Sequence, residues 1–220
     1  MVAQAGDGGT ADIGFGCLWG MFERNDDVLF VCYDNQAYMN TGVQHSGSTP
    51  SAARTATTEV VGADPGSGFG QGKKLPLLAM AHEIPCVATS TVAQLHDLEE
   101  TVERALGMRG ARYLHVLAPC PLGRESDPSQ TIRLARLAQE AGLFPVFERE
   151  QGRVTGVSPI RSRQPVEAYL ALQRRYRHLF DAEGRVARPE IVSALQAGAD
   201  RNIEGFGLLA HARAASGAGS

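Results

Sequence analysis

The chain has 220 residues, of which 43% are hydrophobic and 20% are charged, and its formal net charge is -3. This length is enough for one sizeable α/β core with a small appendage. Basic and acidic residues are interspersed, so no region has the field that favours nucleic acid or an anionic membrane surface. No apolar run approaches the roughly 20 residues that span a bilayer, and no signal-type segment opens the chain, so the cytoplasm is the expected location.

A glycine-rich turn follows the first predicted strand. Residues 1–5 are suited to the last part of a strand and run directly into Gly6-Asp7-Gly8-Gly9. Glycines let the backbone approach a phosphate closely, and the amino end of the helix predicted at 12–24 can face that anion. The turn therefore predicts a phosphate site beside which Asp7 is free to bind a metal. From Gly-Asp-Gly alone, an ordinary turn aspartate remains the alternative.

A second polar segment follows the next apolar run, the strand predicted at 28–33. Asn35 lies 28 positions after Asp7 (35 minus 7), and parallel neighbouring strands would bring both side chains to one edge of the sheet. Mg²⁺ prefers a few hard oxygen ligands together with phosphate and water. A carboxylate, an amide oxygen, a backbone carbonyl and a diphosphate would complete its octahedron. The two segments together predict a site for magnesium and a diphosphate.

The remaining elements alternate along the chain. Residues 35–69 are rich in Gly, Ser, Thr and Pro, and we expect the first half of this long loop to be functional and residues 62–72 to form a mobile tip. The alternation that follows is typical of a doubly wound α/β sheet. Helices are predicted at 75–81, 93–107 and 129–141, and strands at 87–90, 113–118 and 146–148, the last of them pairing across the turn at 151–152 with Val154.

The carboxyl-terminal third predicts a helical extension, with helices at 165–180 and 188–209. We expect residues 1–125 to form an α/β core that is incomplete at its amino end. Residues 126–210 are then an extension packed on that core, and 211–220 a flexible tail.

The wording around the two motifs resembles a known family. Residues 6–14 and the run CYDNQAYMNTGVQHSGSTP at 32–50 look like the thiamine diphosphate-binding signature of the beta subunit of 2-oxoacid:ferredoxin oxidoreductases, pyruvate synthase in particular. The similarity covers most of residues 1–180, with further matching segments at 72–74, 84–89, 115–123 and 134–148. The resemblance implies a mostly parallel α/β fold of the diphosphate-binding type.

The resemblance also implies roles for individual residues. Ala37 contributes a backbone carbonyl to the magnesium, with Asp7 and Asn35 as the other protein ligands, and Asn40 faces the thiazolium and the bound 2-oxo acid. From the residues alone, Asn40-Thr41-Gly42 is equally suited to simple turn chemistry. The implied cofactor contacts are Gly6, Asp7, Gly8, Gly9, Asn35, Ala37, Met39, Asn40 and Thr41.

Cys120 lies in a Pro-Cys-Pro-Leu-Gly turn directly after a predicted strand. A thiolate on a rigid loop can ligate a metal cluster, whereas a small buried hydrophobe is the alternative. In the resembled family this turn looks like the fourth cysteine ligand of a 4Fe-4S cluster whose first three ligands precede the Gly-Asp-Gly motif. We expect Cys17, Cys32 and Cys86 to be core residues and expect no intact cluster, unless a longer chain or a separate polypeptide supplies the other ligands.

The basic residues Arg174, Arg175, Arg177 and His178 follow an apolar helix face, and we expect a solvated stripe at a helix end. A contact with a partner subunit or with coenzyme A is the alternative.

The resemblance implies oxidative decarboxylation of a 2-oxo acid, with pyruvate favoured, to an acyl-CoA, with electrons passed to ferredoxin. It implies other subunits of alpha, gamma and delta type, one of which supplies the glutamate that activates the aminopyrimidine. Two alternatives stay open. One is a non-redox thiamine diphosphate decarboxylase or synthase, which would not need Cys120. The other is a catalytically silent assembly module, which would not need Asp7, Asn35 and Asn40.

Overall fold

The computed structural model describes residues 1–62, 65–68, 70 and 72–209. Within these residues the strands are β1 (Val2–Gly6), β2 (Leu29–Asp34), β3 (Cys86–Thr91), β4 (Arg112–Leu117), β5 (Phe147–Glu150) and β6 (Arg153–Val157). The α-helices are α1 (Phe15–Glu23), α2 (Leu75–Met80), α3 (Leu95–Gly107), α4 (Pro121–Arg124), α5 (Thr131–Glu140), α6 (Val166–Leu170) and α7 (Pro189–Phe206). Shorter turns are π-helical at Gly9–Ile13 and 3-10 at Pro128–Gln130 and Arg174–Leu179.

All six strands belong to one sheet with the order β1-β2-β4-β3-β5-β6. The first four in this order run parallel, whereas β5 is antiparallel to β3 and β6 is antiparallel to β5. Parallel neighbours need crossover connections, which the intervening helices supply. The predicted doubly wound, mostly parallel sheet is confirmed.

Helices cover both faces of the central strands. Successive side chains in a strand point to opposite faces, so β4 presents Tyr113 to one face and Leu114 to the other. The Tyr113 face packs against α1 and α2, and the Leu114 face packs against α3. Every side chain of β3 and β4 is buried, as expected of parallel strands between two helical layers.

The carboxyl-terminal helices pack around the end of β4. Leu117 lies in one buried cluster with side chains of α5, α6 and α7, among them Leu134, Leu170 and Leu195. The same part of the chain supplies β5 and β6, which extend the sheet beyond β3. The division at residue 125 stays a prediction.

Two helix predictions are wrong in extent. Instead of one helix over 12–24, a π-helical turn precedes α1, because the Gly14 N–H bonds the Gly9 carbonyl oxygen five residues back at 2.8 Å. Instead of one helix over 165–180, α6 ends early and a separate 3-10 segment follows. Gln173 between them has an extended backbone, and its side chain turns inward to accept a hydrogen bond from Arg124 at 2.9 Å.

The helix predicted over 188–209 is confirmed as α7 with a shorter carboxyl end. Residues 210–220, and residues 63, 64, 69 and 71 of the predicted mobile tip, lie outside the described residues. Among the described residues, none of the helices combines the length and apolar character needed to cross a bilayer.

Candidate functional site

The two polar motifs meet at the carboxyl edge of the sheet. β1 and β2 are parallel neighbours, and Gly6 at the end of β1 lies opposite Tyr33 near the end of β2. Asp7 and Asn35 therefore leave the sheet side by side, and the Asn35 N–H lies 3.4 Å from Asp7 Oδ1. The parallel arrangement that the spacing predicts brings these two residues together. This edge is where open α/β sheets bind their ligands.

Asp7 is almost completely buried, with 1% of its surface exposed. Burial, followed by the neighbouring Asp34 carboxylate, raises the pKa of Asp7 to about 7, although a hydrogen bond from the Ser46 hydroxyl to Oδ2 works in the opposite direction. A buried carboxylate without a cation beside it is unfavourable in its charged form. A bound divalent cation would stabilise that charge.

The Asn35 side chain completes a set of three converging polar atoms. One of its two amide heteroatoms lies 3.0 Å from Asp7 Oδ1 and 2.7 Å from the Ala37 carbonyl oxygen. With nitrogen at this position, both contacts are hydrogen bonds. With oxygen there, it accepts the Ala37 N–H at 3.3 Å and faces two further oxygen atoms, an arrangement that a cation would stabilise. With the amide oxygen in this position, the three groups form a set of oxygen atoms that fits Mg²⁺.

The glycine turn is shaped by an aromatic ring. A Cβ on Gly8 would lie 2.3 Å from Tyr38 Cε1, so only glycine fits while the ring stays in place. The Tyr38 hydroxyl lies 3.0 Å from the Gly8 carbonyl oxygen and 3.1 Å from Asp12 Oδ2. A π-helical turn follows at Gly9, and such turns are frequent at functional sites.

Asp12 connects this turn to the long loop that follows β2. It accepts hydrogen bonds from the Gly47 N–H at 2.8 Å and from Lys73 Nζ at 2.8 Å. Burial raises the pKa of Asp12, but the hydrogen bonds from Lys73, Gly47 and Tyr38 outweigh it and leave the pKa below its ordinary value. Gly47 and Lys73 thus connect the chain that follows β2 to the predicted diphosphate turn.

The segment after Ala37 carries the other predicted cofactor contacts. Met39 is buried, whereas Asn40 and Thr41 are exposed on a turn in which the Thr41 hydroxyl donates to Gln44 Oε1 at 2.5 Å. Asn40 is open to solvent at the same edge of the sheet. A partner chain or a ligand can therefore reach its side chain.

The Cys120 turn packs directly on this segment. A Cβ on Gly123 would lie 2.2 Å from Met39 Sδ, so the two motifs are in van der Waals contact. Cys120 is half-buried, and Cys32 and Cys86 are buried in strands as predicted. The prediction that Cys17 is a core residue is wrong, because α1 turns Leu18, Met21 and Phe22 inward and leaves Cys17 exposed. The part of the chain that the structure describes contains no group of three or more His, Cys, Asp or Glu side chains suited to one metal ion.

Behind the metal-site candidates lies a buried polar pair that the sequence did not reveal. Asp34 Oδ2 is 2.9 Å from His115 Nε2, and His115 Nδ1 is 2.7 Å from the Tyr113 hydroxyl. Burial lowers the pKa of His115, whereas Cys32 and Asp34 raise it to a net value of about 10. The available signal was a histidine inside the mostly apolar strand β4, next to a strand that ends in Asp34. Both side chains line a cavity of about 180 Å³ between the sheet and the carboxyl-terminal helices.

The basic cluster at 174–178 differs from its prediction. Arg174 and Arg177 are exposed, but the expectation of a fully solvated stripe is wrong for Arg175, which is buried. The 3-10 segment rotates Arg175 toward the core, where Nη2 donates to Gln36 Oε1 at 2.7 Å.

A mostly parallel sheet whose first crossover opens with a glycine-rich turn is characteristic of α/β proteins that bind phosphorylated cofactors. Residues 1–116 match the family model "Thiamine pyrophosphate enzyme, C-terminal TPP binding domain".

Named relatives narrow the class. The chain is 43% identical over 208 residues to "Pyruvate synthase subunit PorB" of Methanosarcina barkeri, covering 94% of this chain and 69% of the relative. It is 43% identical to the subunit of the same name from Methanocaldococcus jannaschii, covering 83% of this chain and 61% of the relative. It is 39% identical to "Ketoisovalerate oxidoreductase subunit VorB" of Pyrococcus abyssi, covering 81% of this chain and 58% of the relative.

The chain belongs to the thiamine pyrophosphate enzymes, in the family of beta subunits of 2-oxoacid:ferredoxin oxidoreductases. It spans between 58% and 69% of the length of these three relatives.

Proposed function

We propose that this chain is the subunit of a 2-oxoacid:ferredoxin oxidoreductase that holds magnesium and the diphosphate of thiamine diphosphate. The convergence of the Asp7 carboxylate, the Asn35 amide and the Ala37 carbonyl at one sheet edge carries the proposal. Membership of a thiamine pyrophosphate family supports the identity of the cofactor.

Each residue of the site has a distinct task. Asp7, Asn35 and the Ala37 carbonyl would hold Mg²⁺, which would in turn bind the diphosphate. Gly6, Gly8 and Gly9 let the backbone come close to the diphosphate. Met39 and Thr41 are assigned as further contacts of the cofactor. Burial keeps water away from Asp7 and strengthens its interaction with a cation.

Asn40 is the proposed catalytic residue of this chain. Bound thiamine diphosphate supplies a nucleophilic carbon and an electron sink. The Asn40 side chain is exposed on the turn after β2, and we assign it a hydrogen bond to the 2-oxo acid that polarises the carbonyl oxygen of this substrate.

The proposed reaction is oxidative decarboxylation of a 2-oxo acid to an acyl-CoA, with ferredoxin as the electron acceptor. The names of the relatives support pyruvate as the substrate, and one of them concerns ketoisovalerate. The chain works with other subunits of alpha, gamma and delta type in the cytoplasm. Cys120 ligates a 4Fe-4S cluster in that assembly if three further cysteines are supplied.

Calorimetric titration of the chain with thiamine diphosphate tests the metal and cofactor assignment. We expect binding in the presence of Mg²⁺ and its loss when Mg²⁺ is removed with a chelator or when Asp7 is replaced in Asp7→Asn. Asp26→Asn, which changes a half-buried carboxylate on the opposite edge of the sheet, is the matched control and should bind as the wild type does. Equal binding by all three chains with and without Mg²⁺ would refute the assignment.

Iron analysis of the complex assembled with the partner subunits tests the redox role. We expect bound iron that falls in Cys120→Ser by the content of one 4Fe-4S cluster. A wild-type complex that decarboxylates 2-oxo acids without iron would favour the non-redox alternative. A wild-type chain that binds no thiamine diphosphate in any assembly would favour the silent assembly module.

A further inference from the structure

Gln36, between two proposed magnesium ligands, has an unfavourable backbone conformation. Its φ is +71°, in the left-handed region that residues with a side chain rarely adopt. A turn at this position sets the direction of the Asn35 side chain before it and of the Ala37 carbonyl after it. Such a conformation persists only where surrounding contacts hold it, and it is often found at functional sites.

Three hydrogen bonds hold Gln36. Its N–H donates to Asp34 Oδ1 at 2.9 Å, and its carbonyl oxygen accepts from the Thr49 hydroxyl at 2.9 Å. Its side-chain Oε1 accepts from Arg175 Nη2 at 2.7 Å. The first two partners are close in sequence, but Arg175 lies 139 positions further on, in the 3-10 segment Arg174–Leu179.

Arg175 is costly to bury. Only 1% of its surface is exposed, and burial lowers the pKa of its guanidinium. Among the described residues, no carboxylate lies within ion-pair distance of it, and its Nε has no hydrogen-bond partner. Burying a cation without an ion pair is unfavourable for folding. The guanidinium carbon lies 4.9 Å from the centroid of the Tyr176 ring, and this cation–π contact offsets part of the cost. The side chain also donates its hydrogen bond to Gln36, so its position serves the loop as well as the core.

A second buried arginine lies close by and provides a comparison. Arg124 is fully buried, also without an ion pair among the described residues, but it donates to Gln173 Oε1 and the Tyr169 hydroxyl. None of its hydrogen bonds reaches the loop at 34–40. The two arginines share burial and charge and differ in their contact with Gln36.

We propose that Arg175 is a positioning residue for the magnesium loop. Its hydrogen bond to Gln36 fixes the turn in the conformation that presents Asn35 and Ala37 together, and so couples the carboxyl-terminal extension to the metal site. The identity of the ion rests on the proposed function, whereas the clamp on the loop rests on geometry alone.

Hydrogen exchange of the loop amides tests the clamp without any ligand. Arg175→Met keeps the length of the side chain and removes its charge and its donors. We expect the amides of Gln36 and Ala37 to exchange at least about tenfold faster in this variant, because a hydrogen bond from a charged group is lost. The midpoint of thermal unfolding should not fall, because an unpaired buried cation is removed. Arg177→Met changes an exposed arginine of the same 3-10 segment and is the matched control, which should leave exchange at 34–40 unchanged.

Calorimetry with thiamine diphosphate and Mg²⁺ tests the consequence for binding. We expect the dissociation constant to rise about tenfold in Arg175→Met and to stay at the wild-type value in Arg177→Met. Gln36→Ala removes the acceptor instead of the donor and should have an effect of the same size. Adding Arg175→Met to Gln36→Ala should change the dissociation constant little further, because both remove one interaction.

The outcomes separate the two proposals. Wild-type loop protection in both Arg175→Met and Gln36→Ala would overturn the clamp, and so would equal loosening in Arg177→Met. If Arg175→Met does not fold, the exchange of the loop in Gln36→Ala decides. A wild-type chain that binds no Mg²⁺ and thiamine diphosphate, but whose loop loses protection in Arg175→Met, would refute the proposed function and leave the clamp standing.

Discussion

Asp7 serves two opposing requirements at the scale of a single residue. Ligation of a cation requires its charge, whereas burial and the neighbouring Asp34 oppose that charge and raise the pKa of Asp7 to about 7. The folded chain therefore binds this proton more tightly than the unfolded chain. As pH rises from about 4 to about 7, the folded state without metal loses stability at this residue.

Asp7→Asn should separate stability from binding. The amide is uncharged and nearly isosteric with the carboxylate. At pH 8 and without metal, the variant should therefore unfold at a higher temperature than the wild type. The gain in the free energy of unfolding is at most roughly 4 kcal/mol, because the pKa of Asp7 rises from 3.8 to about 7. The two chains should differ little at pH 4. Differential scanning calorimetry at both pH values measures this. A lower unfolding temperature for Asp7→Asn at pH 8 would contradict the assigned origin of the shift.

The second prediction at this scale concerns the effect of a side chain at Gly8 on stability. Gly8→Ala would bring a Cβ within 2.3 Å of the Tyr38 ring, so the ring or the turn must move. We expect a loss of about 1–3 kcal/mol in the free energy of unfolding, measured with urea. Gly16→Ala in α1, where a Cβ would meet nothing within 4 Å, is the matched control and should raise stability by about 0.5–1 kcal/mol. Equal effects at both positions would show that Tyr38 does not restrict Gly8.

At the scale of the elements, the ion pairs of Asp27 connect the start of β2 to the start of β4. Asp27, just before β2, accepts hydrogen bonds from Arg109 and from Arg112, the buried first residue of β4. The hydrogen bond from Arg109 contributes most and that from Arg112 contributes next, and together they lower the pKa of Asp27 to about 2. Their contribution to stability is fully present above pH 4 and is lost as pH falls through about 2.

Asp27→Asn should therefore lower the urea midpoint at pH 6 and approach the wild-type midpoint near pH 2. It removes the charge partner of a buried guanidinium, which is more costly than loss of an exposed pair. Asp26→Asn is the matched control, because Asp26 pairs with Arg24 at the surface, where both side chains are solvated. A constant difference between Asp27→Asn and wild type over this pH range would rule out the ion pair as its cause.

The sequence was sufficient to predict the helices and strands that have a clear hydrophobic period. It was insufficient where buried polar contacts determine how an element ends. The parallel strands β2, β3 and β4 and the amphipathic helices α3 and α5 follow from their apolar patterns. The pairing of Asp7 with Asn35 followed from spacing and topology. The break between α6 and the 3-10 segment did not, because it depends on Gln173 and Arg124 meeting across 49 positions. Local propensity contains no information about such contacts.

The same reason explains what was missed around the site. Arg175 lies in a basic run that is typical of a solvated helix end, and its contacts with Gln36 and with the Tyr176 ring explain its burial. His115 lies in an apolar strand and gains its meaning from Asp34 on the neighbouring strand. The partners in each pair are far apart in sequence, so local sequence patterns do not predict either contact.

At the scale of the whole molecule, the extension and the core share one sheet and one buried cluster. Thr89 in β3 accepts a hydrogen bond from the Phe147 N–H at 2.9 Å and donates to the Pro145 carbonyl oxygen at 2.8 Å. Leu117 at the end of β4 packs with Leu134 and Leu179. Removal of residues after 125 would expose this face and leave β3 as an edge strand with unpaired backbone groups, which favours aggregation.

A chain ending at residue 125 should therefore not fold by itself, although it contains all the proposed magnesium ligands. We expect it to lack a cooperative unfolding transition in circular dichroism and to bind no thiamine diphosphate with Mg²⁺. Mixing it with a chain of residues 126–220 should restore both properties, because the missing strand pairing and apolar burial would return from the second chain. Cooperative unfolding of residues 1–125 alone, with wild-type affinity for thiamine diphosphate, would show that the extension is dispensable for the site and that the Gln36–Arg175 contact has no part in binding.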